Sequence, residues 1–173
     1  ADCVKFQWVY AKEILHPKTG FVELPTGKIP LYDRFFLLEV KKSFFKKCLD
    51  YAHSKNLDFG CSPFGLKSLK QLMSINPDMI KIASPELNHF PLLEKLCQLQ
   101  KKLKNKIPVI LSSGVSKLED IKKAISVFEE YNQKETVSLL HCVTSYPAPE
   151  EDYNLKVLGF LQKQFGVKVG VSD

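Results

Sequence analysis

Three residues of chemically useful type fall within six positions: Lys81, Ser84 and Glu86, in the stretch Met79-Ile80-Lys81-Ile82-Ala83-Ser84-Pro85-Glu86-Leu87-Asn88. The stretch opens as a short apolar, β-branched run, the signature of a buried strand that Pro85 ends. A lysine in such a run is costly unless it is paired or serves a site. A cation, a hydroxyl and a carboxylate at one strand end can grip a small anion and move a proton. The competing reading is an ion pair of Lys81 with a neighbouring acid beside a proline turn. The same grammar recurs at other strand ends: Lys5 and Gln7, then Ser62, then Ser112 and Ser113, then Thr144 and Tyr146, then Ser172 and Asp173. Two lysines among several hydroxyls suit a phosphorylated carboxylic acid, because lysine supplies a point charge and hydroxyls add donors without further charge. Glu86 is the acid–base candidate of the cluster. His141 is the second, but it precedes Cys142 in an apolar run, where a hydrogen-bonded structural histidine is the competing reading. His16, His53 and His89 show no metal-ligand spacing.

The elements that must position these residues alternate in type. Residues 2–10 read as a strand on which Lys5 and Gln7 point to one side. Residues 11–32, with Pro17, Gly20, Pro25, Gly27 and Pro30, read as a long structureless connection, either functional or a surface insertion. Asp33 is expected to cap a helix running to about residue 54, with Leu37, Val40, Phe44 and Cys48 on its inner face. A strand over 57–64 and a short helix over 65–76, with Leu66, Leu69 and Met73 inward, come next. After the Lys81 strand, Pro91 marks a helix start, with Leu92, Leu96, Leu99 and Leu103 in one stripe. A strand over 108–114 leads to Ser116-Lys117-Leu118-Glu119, a capping-box pattern, and a helix carrying Leu118, Ile121, Ile125 and Phe128. A strand over 137–144, a helix capped by Asn154 with Leu155, Leu158, Leu161 and Phe165, and a strand over 167–173 complete the chain. Apolar strands alternating with amphipathic helices predict an α/β fold with a parallel sheet covered by helices. A (β/α)8 barrel and an open doubly wound sheet both fit. No GxGxxG loop follows any strand, which weakens a dinucleotide-binding sheet. Six strands are too few for a closed barrel, which takes about 250 residues, so the barrel reading is of an incomplete one lacking its first and last βα units.

Composition narrows the partners. Of 173 residues 45% are apolar and 25% charged, enough for one domain with a sizeable core. The net charge of +6 comes mainly from lysines on helix-like segments, such as Lys41-Lys42, Lys46-Lys47, Lys101-Lys102 and Lys122-Lys123. That sign suits an anionic small substrate. No basic run is interleaved with aromatics and no nucleic-acid motif occurs, so nucleic acid is not an expected partner. No apolar segment is long enough to span a membrane, so no membrane partner is expected either. The five cysteines, Cys3, Cys48, Cys61, Cys97 and Cys142, are odd in number and form no CxxC pair, which predicts a reduced cytoplasmic protein.

Six motifs then fall in one order: Ala1-Asp2-Cys3-Val4-Lys5-Phe6-Gln7; Cys61-Ser62-Pro63-Phe64; Lys81-Ile82-Ala83-Ser84-Pro85-Glu86; Ile110-Leu111-Ser112-Ser113-Gly114; His141-Cys142-Val143-Thr144-Ser145-Tyr146-Pro147-Ala148-Pro149-Glu150-Glu151-Asp152; and Gly170-Val171-Ser172-Asp173. In type, order and spacing the chain resembles the catalytic barrel of the sialic acid synthase family, the phosphoenolpyruvate-dependent nonulosonate synthases. The resemblance covers nearly all of the chain except the 11–32 connection. It implies a (β/α)8 barrel that condenses phosphoenolpyruvate with an N-acetylmannosamine-type aldehyde sugar to give a sialic or nonulosonic acid and phosphate. A divalent ion, manganese or magnesium, would polarise the aldehyde. By position, Lys5, Gln7, Ser62, Lys81, Ser84, Ser112 and Ser172 match family residues around phosphoenolpyruvate. Thr144 falls where many members have Asn or Ser. Glu86 matches the acid near the sugar with a proton-transfer role, and Tyr146 a residue on the sugar side.

The departures from the family are specific. Its Asn-His-x-Gly-like first-strand segment has no counterpart here. Its metal-binding histidine directly follows the Ser-Asp pair, so it would follow Asp173; the second histidine and the C-terminal antifreeze-like domain also have no counterpart. The sequence therefore reads as an internal piece of the catalytic barrel, without metal ligands of its own and inactive alone, from an enzyme that the resemblance implies is a homodimer. Two rival readings stay open: a Schiff-base aldolase using Lys81 as nucleophile, and a non-catalytic sugar-phosphate-binding domain.

Overall fold

The computed structural model describes every residue except Tyr146 and Asp173. The chain divides into two compact units, Ala1–Pro77 and Asp78–Asp173.

In the first unit, β1 (Cys3–Trp8) pairs in parallel with β4 (Asp58–Pro63), with Lys5 beside Gly60 and Gln7 beside Ser62. Strand alternation sends Val4, Phe6 and Trp8 to the opposite face. There Phe6 stacks on Phe59, centroids 5.4 Å apart, and the fully buried Trp8 stacks on Phe45 at 3.9 Å. Phe45 belongs to α3 (Lys42–Ser54), whose buried residues are Phe45, Leu49 and Ala52. The expected inner face was therefore misplaced: Leu37 is 73% exposed and Phe44 46%. The reason is a break. The expected single helix is two, α2 (Leu31–Phe36) and α3, with an extended Lys41 between them, so the helical phase restarts at Lys42.

The 11–32 connection is also not structureless. It holds α1 (Ala11–Ile14) and a hairpin of β2 (Phe21–Leu24) and β3 (Gly27–Pro30), closed over Pro25 and Thr26, with Gly27 at φ +120°. Two carboxylates tie this excursion down. Glu39 Oε1 accepts the Ala11 amide at 2.8 Å, which closes the excursion at its base. Glu13 accepts the Lys67 amide through Oε1 at 2.6 Å and the Ser68 amide through Oε2 at 3.2 Å. Those amides open α4 (Leu66–Met73), whose first-turn N–H groups lack helical partners. A glycine precedes α4 because a Cβ on Gly65 would lie 2.5 Å from Glu13 Cδ. Tyr10 Oη donates to Gln71 Oε1, and Lys67 Nζ sits 3.7 Å from the Tyr10 ring centroid. α4 buries Leu69 and Leu72, whereas Leu66, expected inside, is exposed.

In the second unit, β5 (Met79–Ile82), β6 (Val109–Ser112), β7 (Val137–Cys142) and β8 (Lys168–Ser172) lie side by side in sequence order, all parallel. The crossovers hold α5 (Phe90–Gln100), α6 (Leu118–Glu130) and α7 (Val157–Phe165). The register gives the strands two unlike faces. Ile80, Ile82, Val109, Leu111, Val137 and Leu139 form a buried apolar face, matched by Leu92, Leu93, Leu96, Ile121, Ala124, Ile125 and Phe128 on α5 and α6. Lys81, Ile110, Ser112, Leu140, Cys142, Gly170 and Ser172 share the other face. α5 carries its proline in the first turn, as expected. α6 starts one residue later than the capping pattern suggested, so the acid at the third helical position is Asp120, not Glu119. Its Oδ2 accepts the Lys117 amide at 3.0 Å. α7 begins at Val157, which leaves Leu155 outside it and exposed.

Candidate functional site

The polar face of β1 and β4 in the first unit presents Lys5 and Gln7 as exposed side chains, with Ser62 buried beside Gln7. Their neighbour Cys61 turns to the apolar face and is fully buried. Burial pushes its thiol from an ordinary 9.0 up to about 12, against the smaller opposing pull of the Lys5 charge. Cys61 is therefore a neutral packing residue and not a nucleophile.

In the second unit the strand ends converge. Lys81, near the end of β5, places Nζ 3.4 Å from Ser172 Oγ at the end of β8. Ser112 lies on the same face at the end of β6; it is 2% exposed, and its Oγ has no hydrogen-bond partner among the described residues. Its bonding capacity is thus open to a ligand group or to water. Ser113 is different: its amide and its Oγ both reach the Leu140 carbonyl, each at 3.0 Å, so its hydroxyl is spent on structure. Beyond β5 the chain makes one short 3-10 turn, Ser84–Glu86. There Ser84 Oγ accepts the Gly114 amide at 3.1 Å. Gly114 is a glycine because there is no room for more: a Cβ would fall 2.5 Å from Thr144 Oγ1 and 3.0 Å from Ser84 Oγ. Ser84, Gly114 and Thr144 thus form one tight contact set after β5, β6 and β7. Glu86 Oε2 lies 2.7 Å from His89 Nδ1.

Of the sequence-predicted residues in this unit, Lys81, Ser84, Ser112, Thr144 and Ser172 lie on or just past one end of the strands. Glu86 ends the turn that carries Ser84. Tyr146 and Asp173 lie outside the described residues. His141 belongs to the opposite face of β7, and its Nε2 meets the Tyr153 carbonyl oxygen at 2.8 Å, which is the structural role that its apolar setting suggested. Two participants escaped sequence reasoning. Gly114 contributes through its backbone amide, and His89 was weighed only as a metal ligand. The available signal for His89 was its place three residues after Glu86, between Pro85 and Pro91.

Among the described residues no three His, Cys, Asp or Glu groups lie close enough together to hold an ion. All five cysteines are free thiols, and no helix is long and apolar enough to cross a membrane.

The NeuB family profile matches residues 1–173. An uncharacterised protein of Methanocaldococcus jannaschii is 35% identical over 173 residues, covering all of this chain and 46% of its own length. The N,N'-diacetyllegionaminic acid synthase of Campylobacter jejuni is 34% identical over 181 residues, covering all of this chain and 52% of its own. Among solved structures, the N-acetylneuraminic acid synthetase of Leptospira borgpetersenii superposes with a TM-score of 0.82 at 29% identity, over all of this chain and 54% of that one. The chain thus spans about half the length of the relatives it matches. The likeness decides between the two architectures left open by the sequence, in favour of the barrel-type α/β fold of the sialic acid synthases. Sequence motifs, fold and profile agree over the same residues, and the chain belongs to the NeuB family.

Proposed function

We propose that these residues bind phosphoenolpyruvate and carry proton transfer in an enzyme that condenses it with an N-acetylmannosamine-type aldehyde sugar. The observation that carries the reading is the strand-end set of the second unit: the Lys81 ammonium beside Ser172, with the buried, unpartnered Ser112 hydroxyl on the same face. A cation with hydroxyl donors around it is chemistry for a phosphate or carboxylate. Family membership supplies the substrate class, because the named relatives include legionaminic, pseudaminic and N-acetylneuraminate-9-phosphate synthases.

In this reading C3 of phosphoenolpyruvate attacks the aldehyde carbon, water adds at C2, and phosphate leaves with cleavage of its C2–O bond. Lys81, Ser84, Ser112 and Ser172 hold the anion, and Lys5, Gln7 and Ser62 are assigned to the same substrate by family position. Glu86 takes or gives the proton that accompanies reaction at the aldehyde. Tyr146 is assigned to the sugar side, and Thr144 to a position that varies among relatives. Among the described residues no three His, Cys, Asp or Glu groups lie close enough together to hold an ion, and no step here is routed through manganese or magnesium. A cytoplasmic, homodimeric enzyme is the setting this reading implies.

The test uses the full-length protein with phosphoenolpyruvate, N-acetylmannosamine and manganese, with and without chelator, following inorganic phosphate and nonulosonic acid. Equal release of both supports the synthase. Release only with another amino sugar keeps the chemistry and changes the acceptor. No release with any such sugar from folded, metal-supplied protein refutes the reading, and borohydride trapping of substrate on Lys81 would replace it with a Schiff-base aldolase.

A further inference from the structure

We propose that His89 is a positioning residue for Glu86: its Nδ1–H donates to Oε2, holds the carboxylate in one orientation, and leaves Oε1 for proton exchange. The inference rests on the synthase reading for what Glu86 does. The pairing itself stands on geometry.

The two groups are 2.7 Å apart, a length typical of a charge-assisted bond. With the carboxylate oxygen as acceptor, the proton of this bond sits on Nδ1. The backbone beneath them is held at each step. The Glu86 amide donates to the Ala83 carbonyl at 2.9 Å and the His89 amide to the Glu86 carbonyl at 3.1 Å. The His89 carbonyl in turn accepts the Leu92 amide at 2.9 Å and the Leu93 amide at 3.3 Å, so His89 is anchored at the start of α5. Leu87, between the pair, is fully buried, and Pro85 fixes the turn before it. This frame fixes where the two side chains leave the backbone.

Exposure separates the partners. The Glu86 side chain is 13% exposed, too enclosed to be oriented by bulk water alone, whereas that of His89 is 34% exposed. The imidazole thus meets the acid with one nitrogen and keeps a partly open edge. That is the arrangement by which a second residue fixes the direction of an acid–base group.

Two measurements on the full-length protein decide the matter. The first is nitrogen-15 long-range spectroscopy of the histidine rings, with the His89 signal assigned through its loss in His89→Asn. A neutral ring protonated at Nδ1 in the wild type, reverting to Nε2–H in Glu86→Ala, is the expected result; a neutral ring unprotonated at Nδ1 overturns the pairing. The second is steady-state kinetics. In His89→Ala, kcat is expected to fall roughly tenfold, part of the ~10²–10⁴-fold that a well-placed acid–base group supplies, with KM for phosphoenolpyruvate within about twofold. His89→Asn, whose amide nitrogen can occupy the place of Nδ1, is expected to recover most of that loss, and His89→Gln is not. Wild-type kcat in a folded His89→Ala, or an Asn variant as slow as the Ala variant, overturns the positioning role. Absence of turnover in the wild type would count against the synthase reading, and the ring-nitrogen signals would still decide the pairing.

Discussion

Lys81 Nζ stands 3.4 Å from Ser172 Oγ although two strands, β6 and β7, separate their own. In a flat sheet the first and fourth strands lie about 14 Å apart, three spacings of about 4.8 Å. The four strands of this unit must therefore curl towards the face that carries Lys81, Ser112 and Ser172. Curvature, and not sequence proximity, brings a cation and a hydroxyl 91 residues apart into contact.

Removing either partner should affect turnover differently. Lys81→Ala takes away the charge and is expected to lower kcat/KM for phosphoenolpyruvate by about 10²–10³-fold, the loss that follows deletion of a preorganised electrostatic group. Ser172→Ala removes one neutral donor and should cost about tenfold or less. Steady-state phosphate release by the full-length enzyme reads both, and equal losses in the two variants would contradict the assigned roles.

Gly114→Ala tests the crowding between the loops after β5, β6 and β7. Its new methyl would meet Thr144 Oγ1 and Ser84 Oγ, and overpacking of this kind costs about 1–3 kcal/mol. Thr144→Ala removes the nearer of the two contacts, so the double variant should be more stable than the sum of the single losses implies. Denaturant melts of the four proteins give the coupling directly, and strict additivity would place the strain elsewhere.

Glu13→Ala leaves the Lys67 and Ser68 amides at the start of α4 without their carboxylate. A lost cap of this type costs about 1–2 kcal/mol. Thermal unfolding should show the decrease, and Glu13→Gln, which keeps one acceptor oxygen, should fall between. An unchanged midpoint in Glu13→Ala would mean that water replaces the carboxylate without loss.

Alkaline pH should weaken the fold through its buried thiols. Burial raises both Cys61 and Cys97 from 9.0 to about 12. Well below pH 9 the folded and unfolded chains both hold these two protons, and the thiols add no pH dependence. Above pH 9 the unfolded thiols ionise first, so stability falls by about 1.4 kcal/mol per pH unit for each thiol until the folded values are reached. Cys61→Ala/Cys97→Ala should be less stable at neutral pH but lose less between pH 9 and 10.5. Equal slopes for variant and wild type would rule the thiols out as the cause.

Much of the site could be read from residue order because each piece lies at the end of a strand whose apolar pattern is unmistakable. Lys81, Ser112 and Ser172 needed only the two-residue period of a strand to be placed on one face. The helical stripe through Leu37, Val40 and Phe44 failed for a physical reason: periodicity carries no information across a break, and the chain breaks between Phe36 and Lys42. The hairpin at 21–30 was hidden by its shortness, and its Pro25 and Gly27 were read only as loop markers. Gly114 and the His89–Glu86 contact were illegible for another reason. Both depend on distances of a few ångströms between side chain and backbone, which residue types alone do not specify.

The bond from the Ala11 amide to Glu39 Oε1 gives the first unit an architectural freedom. It staples the two ends of the excursion together at the point where the chain leaves β1, so what lies between is fastened at its own doorway. Doubling the length of such a closed segment costs only about 0.6 kcal/mol in closure entropy. The hairpin and its flanking short helices therefore form a segment whose length can change at little entropic cost while the strand carrying Lys5 and Gln7 keeps its register.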